Sequence, residues 1–337
     1  GSTLYLPDRR VPMVADSITS KLGLGLTAIS PALSFGLDLS EDGAVTDLHI
    51  VPSYVKVQRL SYAEAEARLD EVPLKGLLEV AALRRERRLV QGAALIELPE
   101  ARLLARKTTD TRLDDLGYEL TVEPLQPLRS RQLVSEAMIA AGEALASYAV
   151  EQAIPFPFSS QPPAAQDEGG EAMTSDLAGM YALRRRQSPS RIAITPGRHN
   201  GLGLDTYARV TSPLRRYTDL LAHQQLRAHQ AGGQLLSETE MLGRIGESEA
   251  AASDVRRLER DVRRHWMLLY LECLNDWRGE AVLVAHRGSR GTILIPDLAF
   301  EADIPLRDSH APLNETLKVR LQGVNLPRLE AHFAIET

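Results

Sequence analysis

The residues best suited to chemistry lie between His199 and Asp219, in the run HNGLGLDTYARVTSPLRRYTD. Gly201 and Gly203 lack side chains, so backbone there can approach a ligand closely. Thr211-Ser212-Pro213 reads as a helix start, with Ser212 as N-cap and Pro213 at the first helical position. Helix N-termini hold anions through free N–H groups and the helix dipole. Arg215 and Arg216 would then stand in the first helical turn, where positive charge opposes the dipole. Two arginines in a disfavoured place suggest an external anion such as a phosphate. The alternative is a structural pair bridging to carboxylates elsewhere, and the run alone leaves both open.

Elements must position these residues. Residues 22–30, 32–39 and 44–57 read as strands, the last two joined by the turn Ser40-Glu41-Asp42-Gly43. Helices are expected at 61–69, capped by Ser61, and at 77–90, apolar on one face and arginine-rich on the other. Short strands at 93–98 and 118–124 precede a strongly periodic helix at 130–152. Further helices are expected at 175–186, 214–231 and 236–276, the last with room for one break, and a strand at 191–195. After Trp277 the pattern becomes five short strands, which suits an OB-type barrel. The expected fold class is α+β: a mixed sheet with packed helices over residues 1–277, then a small β-barrel over 278–337.

Composition narrows the function. The chain has 337 residues, 44% hydrophobic and 25% charged, which is ordinary for a globular protein. Its uninterrupted apolar runs are too short for a bilayer, and its start lacks a secretory pattern. Cys273 is the only cysteine, so intrachain disulfides and Cys-based zinc sites are excluded, and a reducing cytoplasm is expected. The net charge of −6 does not advertise a nucleic-acid binder. Yet only five of the 39 basic residues are lysines, and arginines cluster at 84–88, 184–186, 215–216 and 256–264. Guanidinium groups grip phosphate bidentately, which suits a local groove; arginine-favouring codon usage and solvated helix faces give the same clusters without a ligand. Motifs for Ser hydrolases, zincins, P-loops and dinucleotide folds are absent. The histidines show no metal-ligand spacing, and His199 and His223 read more readily as structural.

The run from Thr206 to Leu226, TYARVTSPLRRYTDLLAHQQL, resembles the signature of RNase II-family (RNB) exoribonucleases. Other pieces resemble that family in its order: Tyr5-Leu6-Pro7-Asp8 with Val11-Pro12-Met13, Leu60-Ser61-Tyr62, LVSEAMIAA from Leu133, and residues 259–271 leading to an S1-type OB domain. The resemblance implies processive 3′→5′ hydrolysis of single-stranded RNA to nucleoside 5′-monophosphates with two divalent metals, usually Mg²⁺, with Mn²⁺ as an alternative. By motif position it implies that Arg215 contacts the scissile phosphate, Tyr62 positions the 3′-terminal nucleotide, and Tyr5 stacks on a base farther up. His199, Tyr207, Arg216, Ser135 and Glu136 fall among the expected RNA-binding residues.

Two departures stand out. The first acidic residue of the family's L-V-E-E helix is Ser135 here, and Glu136 points about 100° away from it. Glu97 occupies the region where family members place a base-stacking aromatic. The family's D-x-x-x-x-x-D-x-D-D cluster, which holds the metals, is not found in residues 1–337. It is expected upstream of Gly1 or on another chain, so residues 1–337 alone are expected to cleave nothing. Asp114-Asp115 and the Glu247/Glu249 pair read as solvated charges. In the barrel, Arg287, Arg290, Arg307, Arg320 and Arg328 suggest phosphate guidance, with Phe300 and Phe333 the only aromatics. The rival expectation is an inactive RNA-binding or adaptor protein that keeps this fold; a single-strand DNA nuclease or binder is a more distant one.

Overall fold

The computed structural model describes residues 1–108, 117–165, 175–306 and 311–336. The chain begins with β1 (Leu4–Tyr5), β2 (Arg10–Val11) and α1 (Asp16–Leu22), followed by the hairpin β3 (Ser30–Leu39) and β4 (Val45–Val55). Then come α2 (Tyr62–Glu66), α3 (Leu74–Val90), the ladder β5 (Glu100–Lys107) and β6 (Tyr118–Leu125), and α4 (Arg129–Glu151). Next are β7 (Phe158–Ser160), α5 (Leu177–Arg186), β8 (Arg191–Ala193), α6 (Tyr217–Gln230) and α7 (Glu238–Cys273). The C-terminal unit comprises β9 (Arg278–Arg287), β10 (Arg290–Ile295), β11 (Phe300–Pro305), β12 (Thr316–Asn325) and β13 (Glu330–Ile335).

The core of the larger unit forms where α4 meets the chain before α6. Leu145, Ala146 and Ala149 pack with Phe156, Phe158, Ala208, Val210, Ala222 and Leu226, and Leu33, Phe35, Leu48 and Ile50 of the hairpin close the cluster. Alanines let the neighbouring backbone come close, and at Gly142 even a methyl group would not fit. A Cβ there would stand 2.3 Å from the Tyr207 ring and 2.5 Å from the Ala208 carbonyl. The Ala208 N–H donates to the Gly142 carbonyl at 3.2 Å, so the segment that carries the chemistry is fastened to α4. Within this unit the ladders are two-stranded and antiparallel, and the bridge between Gln161 and His199 is parallel.

α4 is also long and apolar enough to cross a membrane by length and composition, although its uninterrupted apolar runs are short. Half of that stretch is buried inside the protein, as expected of a core helix.

α7 runs unbroken for 36 residues, about 54 Å. Ser237 and Glu240 cap it reciprocally. Its last turns supply Met267, Leu268 and Leu271 to the barrel core, alongside Leu283, Ile293, Phe300, Val319 and Phe333. The barrel's strand order is β11-β10-β9-β12-β13. Phe300 on one edge strand packs on Phe333 of the other, ring centroids 6.2 Å apart, which draws the sheet closed.

Several sequence expectations are corrected. Residues 22–30 are not a strand: α1 ends at Leu22, and Gly23 and Gly25 carry the chain through bends into β3. Residues 93–98 pair with no strand; the ladder partner of β6 is β5, which begins at Glu100. α3 does not present all its arginines to solvent. Arg84 is fully buried, donating to Gly43 O and to Glu143, and Arg88 is buried on Glu136. Their charged heads made these positions look solvated, yet both are among the buried residues of the helix. Asp114, Asp115 and Arg307 lie outside the described residues.

Candidate nucleic-acid interface

Ser212 does not cap a helix. It opens a turn in which the N–H groups of Arg215 and Arg216 both donate to its carbonyl, at 3.1 and 3.0 Å. α6 starts only at Tyr217, with Arg216 extended at the N-cap. Asp219, in the first turn of α6, fastens the turn before it: its carboxylate accepts the Ser212 N–H at 2.8 Å and two guanidinium N–H bonds from Arg216, at 2.9 and 2.7 Å. An acid in the first turn suits the helix dipole, and it makes the early turn the better arrangement for Ser212. Arg216 is thus paired with a carboxylate of its own chain.

Arg215 differs. Its side chain is exposed and has no hydrogen-bond or ion-pair partner among the described residues. Its backbone is held, since the Thr3 N–H donates to the Arg215 carbonyl at 3.0 Å and the Tyr217 N–H to the Gly1 carbonyl at 2.9 Å. A held backbone leaves the guanidinium available to an external anion.

Two residues farther along the same segment, Tyr5 is 48% exposed. Its N–H donates to Glu259 Oε1 of α7 at 2.7 Å. An open groove of about 630 Å³ lies beside it, walled by Tyr5, Pro7, Arg102, Leu103, Leu125 and the α7 residues Arg256, Glu259, Arg260 and Arg263.

Tyr62 opens α2 and is 41% exposed. Arg131 lies over its ring, 4.5 Å from the centroid. Ser61 caps α2 as expected and, with Glu64, completes a capping box; Glu66 ties α2 to the start of α4 by accepting the Ser130 N–H at 2.7 Å. That backbone bond, with Arg129 assisting, holds the Glu66 carboxyl below its ordinary range.

Ser135 stands exposed on α4, whereas Glu136 turns inward and gives both carboxylate oxygens to Arg88. Arg88 also donates to the Leu202 carbonyl at 3.1 Å, so the pair anchors the glycine loop instead of facing solvent. Gly203 there has φ +68°, and a Cβ would sit 2.6 Å from the Arg88 carbonyl. His199 and Tyr207 are packed edge to face, ring centroids 5.6 Å apart. Burial, with Arg209 nearby, lowers the His199 pKa to about 4, and burial raises the Tyr207 hydroxyl. Glu136, Arg216, His199 and Tyr207 thus build the scaffold behind Arg215. His223 does likewise, its Nε2 2.7 Å from the Val210 carbonyl oxygen.

Two buried carboxylates of this scaffold, Asp219 and Glu136, do not fit a metal pair. Asp219 and Glu136 are already saturated by arginine and backbone donors. The strand register of β3 and β4 does bring Asp38, Asp47 and His49 within 4.8 Å of one another, all exposed. That grouping depends on cross-strand pairing, which linear spacing does not reveal. Glu97, in place of the expected aromatic, pairs with Arg85 at 2.9 Å. In the barrel Phe300 and Phe333 are buried, leaving neither ring for a base.

Residues 1–232 match the RNB domain, and residues 277–336 match the RNase II-type exonuclease C-terminal S1 domain. A Synechocystis protein named "Uncharacterized ribonuclease sll1290" is 35% identical over 98% of this chain and 50% of its own length. Arabidopsis "Ribonuclease II, chloroplastic/mitochondrial" is 27% identical over 90% of the chain and 39% of its own length. The chain thus spans about half the length or less of these curated relatives. Mycoplasma genitalium RNase R in complex with ribose-methylated single-stranded RNA has the same fold, with TM-score 0.78, 15% identity, and coverage of 99% of this chain and 62% of that one. Yeast Ssd1, described as a pseudonuclease, superposes with TM-score 0.67 at 16% identity, over 90% of this chain and 42% of that one. On the match of its first 232 residues, the chain belongs to the RNB-domain ribonuclease family.

Proposed function

We propose that this chain is the RNA-gripping part of a 3′→5′ exoribonuclease that shortens single-stranded RNA processively to nucleoside 5′-monophosphates. The observation that carries the reading is the division of labour between adjacent arginines: Arg216 is consumed by Asp219, while Arg215 is free and held at its backbone. In this reading Arg215 meets the scissile phosphate, where a fixed guanidinium stabilises developing charge. Tyr62 orients the last nucleotide, Ser135 offers a hydroxyl to its ribose, and Tyr5 supplies a stacking face for a base upstream. His199, Tyr207, Glu136 and Arg216 serve that grip by holding the loop.

The reaction also needs divalent metal, Mg²⁺ or Mn²⁺. In this reading the metal-holding aspartates stand on a preceding segment or another chain, where the family's acidic cluster is expected, and the enzyme works in the cytoplasm.

A second reading is an RNA-binding protein that does not cleave. Ser135 in place of a carboxylate favours it, as does the fold likeness to Ssd1.

The test uses the full-length gene product with 5′-labelled single-stranded RNA and Mg²⁺ or EDTA. A 3′→5′ ladder that collapses to a short limit product and vanishes with EDTA supports the enzyme. RNA that is bound but intact under every condition supports the second reading and rejects the first.

A further inference from the structure

Arg131 stands in the first turn of α4 and lies over the Tyr62 ring, its guanidinium carbon 4.5 Å from the ring centroid. A positive charge there opposes the helix dipole, so the helix itself gains nothing from it. No carboxylate holds it either. Arg131 has no hydrogen-bond or ion-pair partner among the described residues, and its Nε is buried without one.

The carboxylates of the two helices that frame Tyr62 are engaged elsewhere. On α2, Glu64 caps its own helix, and Glu66 takes Arg129 and the Ser130 N–H. On α4, Glu136 and Glu143 turn to Arg88 and Arg84, and Glu151 is at the far end. Arg131 is therefore an unpaired cation beside a half-exposed aromatic ring. Stacking of this kind uses the face of the guanidinium and leaves its in-plane N–H groups for an anion. Ser135 follows four residues later, exposed on the same helix face and about 6 Å farther along the axis. Its hydroxyl is neutral and can donate a hydrogen bond. An anion beside Tyr62 thus meets a cation and a hydroxyl, and no free carboxylate from α2 or the first half of α4 opposes it.

We infer that Arg131 and Ser135 form a subsite for a terminal 3′-phosphate, so that this chain grips phosphorylated RNA ends and not only those with a free 3′-hydroxyl. The inference rests on the reading in which Tyr62 orients the last nucleotide of single-stranded RNA. A phosphate monoester there carries a charge of about −1.5 to −2 at pH 7 and three acceptor oxygens, enough for the guanidinium edge and the Ser135 hydroxyl together. Such ends are left by strand scission in which a 2′-hydroxyl attacks the neighbouring phosphate and the cyclic ester then opens with water.

The test titrates the full-length gene product calorimetrically with two tetraadenylates, in EDTA so that nothing is cleaved. One carries its terminal phosphate at the 3′ end and the other at the 5′ end, so their net charge is equal and only the position differs. The wild type is expected to bind the 3′-phosphate isomer about tenfold more tightly, the lower end of the range for a hydrogen bond between charged groups. Arg131→Gln should bring that ratio close to one, and Arg131→Lys should keep part of it. Ser135→Glu should reverse it, by setting a carboxylate beside the phosphate; because Ser135 is exposed, this variant decides the matter even where Arg131→Gln fails to fold. Equal binding of the two isomers by the wild type, or a ratio unchanged in the variants, overturns the subsite. Failure of both isomers to bind rejects the RNA-gripping reading and this inference with it. A 3′-phosphate preference in a product that never cleaves with Mg²⁺ supports the subsite and rejects only the nuclease reading.

Discussion

The guanidinium of Arg216 donates two hydrogen bonds to the carboxylate of Asp219, at 2.9 and 2.7 Å, and that carboxylate is fully buried. The pair decides the use of its neighbour. With Arg216 turned inward to satisfy a buried charge, Arg215 is left outside on a backbone pinned by Thr3. Arg216→Ala leaves Asp219 with one backbone donor and no cation. A loss of about 2–4 kcal/mol is expected in urea unfolding, somewhat below that for breaking a fully buried ion pair because the Arg216 side chain is part-exposed. An unchanged midpoint would contradict the structural role of Arg216.

Ser135 and Glu136, adjacent in sequence, should behave oppositely. Glu136→Ala strands the buried Arg88 and should cost about 3–5 kcal/mol, with faster amide exchange in residues 199–204. Ser135→Glu, on the exposed face, should change stability by no more than about 0.5 kcal/mol while altering affinity for short RNA. Equal destabilisation by the two would show that the helix faces are misassigned.

His199 should make the fold acid-sensitive. Burial, and secondarily Arg209, lower its pKa to about 4, whereas in the unfolded chain it titrates near 6.5. Above pH 6.5 both states are neutral and the residue has no effect on pH dependence. As pH falls from 6.5 toward 4, the unfolded chain takes up a proton that the folded one refuses, so stability drops. By pH 5 the loss is on the order of 2 kcal/mol. His223, lowered mainly by burial, acts in the same direction. Urea midpoints at pH 7 and pH 5 should diverge less in His199→Gln than in the wild type; identical divergence would contradict this assignment.

Gly142→Ala tests the close approach of α4 to the site. The added methyl would meet the Tyr207 ring at 2.3 Å and backbone at 2.5 Å. Destabilisation of about 1–3 kcal/mol is expected, with a changed Tyr207 fluorescence or NMR signal. The usual gain from replacing a helical glycine by alanine would show that the helix and strand stand farther apart.

The barrel, the long α7 and the capped α2 were legible because local signals specify them: alternation, an apolar period and an N-cap serine. Arg215, Tyr62 and Tyr5 were named from their motifs, and all three stand exposed. What stayed hidden depended on partners distant in sequence. Ser212-Pro213 has the composition of a helix start, yet Asp219, seven residues on, draws that N–H into a turn. Arg84 and Arg88 look like solvated charges until Glu143 and Glu136, more than forty residues away, bury them. Gly43 and Gly203 then supply the close backbone these arginines need.

The most direct measurement compares single-stranded RNA cleavage by the full-length gene product and its Arg215→Ala variant in Mg²⁺. The expected result is a rate about 10²–10³-fold lower in the variant, as for removal of one transition-state donor, with an unchanged melting temperature. Cleavage by the variant at the wild-type rate would contradict the placing of Arg215 at the scissile phosphate.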